Sequence, residues 1–123
     1  DNLPLVRSLV AEELKHSDNI PHRIVRRLAE DVEEIVAAPI LEYSPMLSDR
    51  DLLEIIAGGL KGGALVALSQ RGSLNSDVAD AIADTMDEEA VATLLANESA
   101  QIREETLDKI DGRLYEMQTK KGL

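Results

Sequence analysis

Four columns of apolar residues return along this chain at a spacing of about 26–28 residues, and that period limits the fold more than any other feature. Ile24, Leu52 and Val78 form one column, and Leu28, Ile56 and Ile82 a second. Val36, Ala64 and Val91 form the third, and Ile40, Leu68 and Leu95 the fourth. Ser44, Gly72 and Ser99 follow on the same period as turn residues. A unit this short holds two helices, and so small a pair cannot bury its apolar face alone, so units must stack. Three pairs with a helix at each end meet the minimum for a stable stack.

Composition agrees with close-packed helices. The apolar fraction is 44% but the aromatic fraction only 2%, so the core must be Leu, Ile, Val, Ala and Met, with β-branched residues at helical and not alternating spacing. Net charge is −11, which argues against nucleic acid and against an anionic membrane surface, and favours basic partners. The chain has no cysteine, so thiol nucleophiles, disulfides and Cys-bound zinc are excluded. No stretch approaches the ~18 apolar residues of a membrane span and no signal region is visible. A cytoplasmic protein is the expectation. The chain begins with Asp1 and not Met, which leaves open a trimmed targeting segment or a longer solenoid of which this is a part.

Local signals place the helices. Leu5, Val6, Leu9, Val10 and Leu14 recur at helical spacing after Pro4, predicting an end-capping helix with that stripe inward. Pro21 opens a second helix, in which Arg26–Glu30 and Arg27–Asp31 are i,i+4 pairs. Asp31 with Glu34 reads as a capping-box variant starting a third, with Val32, Ile35, Val36 and Ile40 inward and a kink at Pro39. Tyr43-Ser44-Pro45 breaks it, and Ser48 with Asp51 caps the fourth, which ends at Gly58-Gly59. Residues 60–71 predict a fifth despite Gly62 and Gly63. Asn75 caps a sixth with Val78, Ile82 and Met86 inward, and Asp87 starts a seventh ending at Asn97. Ile102, Leu107, Ile110, Leu114 and Met117 mark the last, before a tail expected to fray.

The strings RRLAED…VAAPILEYSPMLSDRDLLEII and ALVALSQRGSL…DVADAIADTMDEEAVATLLANESAQI resemble the bacterial, mainly α-proteobacterial, family called domain of unknown function twenty-three thirty-six, over roughly residues 20–111. SPMLSDRDLLEII is the most specific block. Arg103 stands where members of that family often carry Ser, so the last helix is expected to lack its usual cap. The resemblance implies HEAT-like helical repeats and no reaction. The predicted fold is thus all-α: a short right-handed α-solenoid of HEAT-like helix pairs, about eight helices. Its expected divisions are a capping helix over 1–19, repeats over 20–46, 47–73 and 74–100, and a capping helix with tail over 101–123.

No chemical constellation stands out. His16, Asp18 and His22 form the one imidazole cluster, better read as a solvated turn than as a metal site. The acidic runs at 30–34 and 87–89 fall at helix N-termini, where carboxylates complement the dipole. Asp49-Arg50-Asp51 and Asp108…Gly112 lack the alternating ligands of a calcium loop, and the glycine pairs lack the Lys-Ser/Thr of a phosphate loop. Arg23, Arg26 and Arg27 read as a salt-bridged face. The expectation is a non-catalytic protein-interaction or scaffold module with no cofactor or metal, its second helices lining a concave groove. Glu33, Glu34, Ala37, Ala38, Glu88, Glu89 and Thr93 would face the partner, a protein or a basic, amphipathic helical peptide. A homodimer through the last helix is the alternative expectation.

Overall fold

The computed structural model describes residues 3–112. They form an all-helical stack of two rows. One row holds α1 (Pro4–Leu14), α3 (Glu34–Tyr43), α5 (Gly62–Ser69) and α7 (Glu88–Ala96). The other holds α2 (His22–Ala29), α4 (Asp49–Ala57), α6 (Ser76–Asp84) and a last helix, α8, over residues 104–112. Successive helices of the first row pack directly on one another and do so more closely than those of the second.

Polar contacts at both ends show that helices within a row run parallel. At the C-terminal edge Arg71 Nη1 and Nη2 donate to the carbonyls of Leu41 and Ser44, both at 2.8 Å, so the turn after α5 clasps the end of α3. One unit later Asn97 Nδ2 donates to Ser69 O (2.9 Å) and Arg71 O (2.8 Å), so the end of α7 clasps α5. These contacts satisfy carbonyls that a helix C-terminus leaves without partners. At the opposite edge the Asp87 carboxylate accepts from the Gly62 N–H at 3.4 Å. The sequence separations of these bonds run from 25 to 30 residues, the repeat period in another form.

The other row is laced by charge. Asp51, at the start of α4, completes the Ser48 capping box and also accepts from Arg26 Nη1 (3.0 Å) and meets His22 Nε2 (2.9 Å) on α2. Burial pushes the Asp51 carboxyl up, but the Ser48 N–H, His22, Arg26 and the Ser48 hydroxyl outweigh it and bring it down to about 2. Arg26 also reaches Glu54 (2.9 Å) and Glu30 (2.5 Å), which hold its guanidinium charged. On α6, Asp77 meets Arg103 (2.6 Å), and Asp80 accepts from Thr106 (2.9 Å) and Lys109 (3.2 Å) on α8. The hydroxyl bond from Thr106, then Lys109, draws the Asp80 carboxyl below its usual range.

The core between the rows follows the repeat columns for the most part. Val36, Ile40, Leu65, Leu68, Val78, Ile82 and Leu94 are buried, and Ala83, Val91 and Ile110 make a smaller cluster at the α8 end. The expected caps of α4, α6 and α7 are in place: Asn75 accepts from the Val78 N–H (2.8 Å) and Asp87 from the Ala90 N–H (3.1 Å). Pro39 is buried within a continuous α3. At Gly63 in α5, the carboxylate end of the exposed Glu34 side chain occupies the space that an added Cβ would take.

Several expectations are corrected. In α1 the Leu–Val stripe faces outward: Leu5, Val6, Leu9 and Val10 are exposed, while Ser8 and Ala11 face the core. Small side chains at spacing three let α1 approach α3 closely, and the larger ones are turned away. Asp31 does not open α3: its carboxylate accepts from Arg7 of α1 (2.8 and 3.2 Å), where Arg27 was expected, and from the Glu33 N–H in the turn before the helix (2.9 Å). The Arg7 bond draws the Asp31 carboxyl below its usual range. The helix starts later, at Glu34, so Val32 lies in the turn, 93% exposed, and Ile35 faces outward at 54%. Met86 falls beyond the end of α6 with φ +64° and is exposed. Leu95 is exposed because Leu94 takes the inward place in the fourth column. In the last helix Leu107 is exposed and Ile110 buried, whereas Leu114, Met117 and the tail lie outside the described residues.

Candidate protein-interaction surface

The open side of the row α1–α3–α5–α7 carries two kinds of concavity. Between α1 and α3 lies a cleft of about 440 Å³ lined by Leu5, Ser8, Glu12, Glu34, Ile35, Ala38 and Pro39. Its apolar lining comes from both helices: Leu5 is 67% and Ile35 54% exposed, with Ala38 and Pro39 on the α3 side. Its carboxylates are Glu12 on α1 and Glu34 on α3, one from each wall. Lys15 holds Glu12 at 2.8 Å at the far end. Near the end of α7, a shallower hollow of about 510 Å³ is bounded by Gln70, Thr93, Ala96, Asn97, Glu98 and Ser99. Five of its six lining residues are polar, and its Asn97 and Ser99 are already engaged in the clasp on Arg71 O.

The residues singled out by sequence divide between these places. Glu33 and Glu34 are exposed at the start of α3, and Glu88 and Glu89 at the start of α7, with the Gly62–Gly63 end of α5 between them. Ala38 lines the α1–α3 cleft, and Thr93 lines the other hollow, its hydroxyl donating to Glu89 O at 2.8 Å. Ala37 is a correction. It is fully buried and cannot touch a partner, because α1 and α5 flank α3 and α2 lies beneath it, which leaves Ile35 and Ala38 on its narrow outer face. Sequence reasoning missed Leu5 and Ile35 as surface, and did not place Glu12 or Pro39 beside a cleft. A signal was present: Ser8 and Ala11, flanked by larger apolar residues, mark the side on which a helix can pack tightly.

The imidazoles go to separate tasks. His22 bonds to Asp51, and the His16 ring sits edge-on to Tyr43 at 5.0 Å, where Lys15 also lies 5.0 Å over the Tyr43 ring. Among the described residues no group of three or more His, Cys, Asp or Glu could hold a metal ion. Among them also, no helix is long and apolar enough to cross a membrane.

The sequence matches, over residues 36–119, the family described as "Uncharacterised protein conserved in bacteria (DUF2336)". The chain belongs to this family. The match begins inside α3, so within this DUF2336 domain α1 and α2, and with them one wall of the α1–α3 cleft, precede the matched segment. No curated protein and no solved structure matches the chain.

Proposed function

We propose that this DUF2336 domain is a non-catalytic protein-interaction module whose stacked, HEAT-like second helices take a basic, amphipathic helix, with the α1–α3 cleft as the anchoring point. The observation that carries the reading is the pairing of exposed apolar side chains, Leu5 and Ile35, with a carboxylate on each wall, Glu12 and Glu34. An apolar floor receives the apolar face of a helix and flanking carboxylates receive its Lys or Arg rim, which is the helix-in-groove mode of recognition. The charge of −11 adds long-range attraction for a cationic ligand and raises its association rate at low salt. The closer packing along the second-helix row supports a curvature with that row on the concave side. Glu33, Glu88 and Glu89 extend the acidic edge along which a longer ligand would lie.

Affinity capture from the native cell, followed by mass spectrometry, tests this with three baits: the wild type, Glu12→Lys/Glu34→Lys and Ile35→Asp. The expected result is a partner with a basic amphipathic segment, retained by the wild type at low salt and lost with both variants. Partners unchanged across all three baits would overturn the cleft as the binding site.

A further inference from the structure

A second cavity, of about 480 Å³, lies on the edge of the stack where the α2–α3 and α4–α5 turns run side by side. Its apolar lining is Val32, Ile55, Leu60 and Ala64, with Val32 almost wholly exposed at the rim. Three carboxylates border it, and each is already taken: Glu30 and Glu54 by Arg26, and Asp31 by Arg7. Lys61 adds a positive charge to the rim. With its acids compensated and a lysine beside it, the cavity suits an apolar side chain and disfavours a basic one.

The start of α3 separates this cavity from the α1–α3 cleft. Val32 lines the one and Ile35 the other. Three residues apart in the chain, their Cα atoms lie within about 11 Å of each other. Glu33 and Glu34 fall between them, both exposed and neither paired with a base among the described residues. Glu34 joins the two places. It lines the cleft, and its carboxylate end reaches Gly63 of α5, next to Ala64 in the second cavity.

We propose that this cavity is the second anchor of the ligand helix, a proposal that rests on the α1–α3 cleft as the first. Two turns of α-helix rise about 10.5 Å, so ligand side chains at i and i+7 match the span from Ile35 to Val32. Positions i+3 and i+4 lie between them on the same face, over Glu33 and Glu34. The unpaired carboxylates select a basic pair there, and the compensated charges around the second cavity select an apolar residue beyond it. The ligand is therefore a helix that reads apolar-x-x-basic-basic-x-x-apolar, with its Lys or Arg pair inside the apolar stripe. An ordinary amphipathic helix keeps its charged residues on the opposite face. That difference separates the ligand from amphipathic helices in general.

Fluorescence anisotropy with labelled synthetic helical peptides tests the proposal. The first peptide carries Leu at i and i+7 and Lys at i+3 and i+4; the second has the same composition with one Leu moved to the opposite face. The first is expected to bind the wild type at least about tenfold more tightly than the second. Val32→Ser, an exposed and charge-neutral change, should bring the first peptide down to the affinity of the second and leave the second unchanged. Ile35→Ser should weaken both, and both variants should keep the wild-type circular-dichroism spectrum. Replacing the lysine pair by glutamine should weaken the first peptide more on the wild type than on Glu33→Gln/Glu34→Gln. Equal affinity of the two leucine arrangements overturns the second anchor. So does a first peptide indifferent to Val32→Ser but weakened by Ile35→Ser, which leaves the cleft standing. Equal losses from the glutamine pair on both proteins overturn the motif. Binding indifferent to Ile35→Ser overturns the cleft and the second anchor with it.

Discussion

Helices α1 and α3 lie side by side in one row, and both are rich in Leu, Ile and Val, yet they use those residues in opposite ways. α3 has α1 on one flank, α5 on the other and α2 beneath, and it buries Val36, Ala37, Pro39, Ile40 and Leu41. Among the described residues α1 has one such neighbour and buries Ser8 and Ala11, with Leu14 packed on the core and Leu5, Val6, Leu9 and Val10 left exposed. The lesson is that a helical apolar stripe records a face needing cover without saying which neighbour covers it. Where small side chains allow a close approach, backbone proximity takes the core side and the large side chains become surface available for association.

Stability measurements would sharpen that contrast most directly. Leu41→Ala removes a fully buried side chain from α3 and should cost about 2–5 kcal/mol in urea unfolding. Leu9→Ala, the same chemical change on α1, should fall within about 0.5 kcal/mol of wild type when the protein is monomeric. Comparable losses at both positions would break the comparison.

A smaller effect is expected from the clasp that α3 receives from the next unit. Arg71 is half-buried, and desolvation lowers its pKa, but its fork satisfies the Leu41 and Ser44 carbonyls together. Arg71→Ala should cost about 1–3 kcal/mol by leaving those acceptors without donors. Arg71→Lys should recover only part of this, since an ammonium does not reproduce the planar fork. Full recovery by lysine would reduce the clasp to a simple charge effect.

A pH-dependent effect lies in the other row. The folded Asp51 carboxyl sits at about 2 against an ordinary 3.8, so its contribution to stability is complete above pH 3.8 and lost as pH falls toward 2. Between about pH 4 and pH 2 the wild type should lose stability more steeply than Asp51→Asn. Parallel acid-unfolding curves for the two proteins would show that the carboxylate does not link α2 to α4.

Much of the architecture was legible because its signals are local. Ser48, Asn75 and Asp87 cap helices through bonds to backbone three residues away, and a short side chain at that spacing specifies the start by itself. The candidate surface was less legible. Glu34 and Ala38 were read as exposed and reach the cleft, but Ala37 is buried and Ile35 exposed, the reverse of the reading, because α3 is packed by α1, α5 and α2 at once. Arg7, 24 residues upstream, engages the Asp31 carboxylate that was expected to cap that helix.

Periodicity, capping residues and the scarcity of aromatics therefore determined the helical class, the two-helix unit and the repeat length, since each acts within a few residues or repeats along the chain. Only the tertiary structure decided which side of α1 meets α3, which carboxylate Arg7 takes, and where Arg71 delivers its guanidinium. Those outcomes rest on competition among groups about one repeat apart in sequence, and a linear pattern does not rank competitors that meet only when the helices stack.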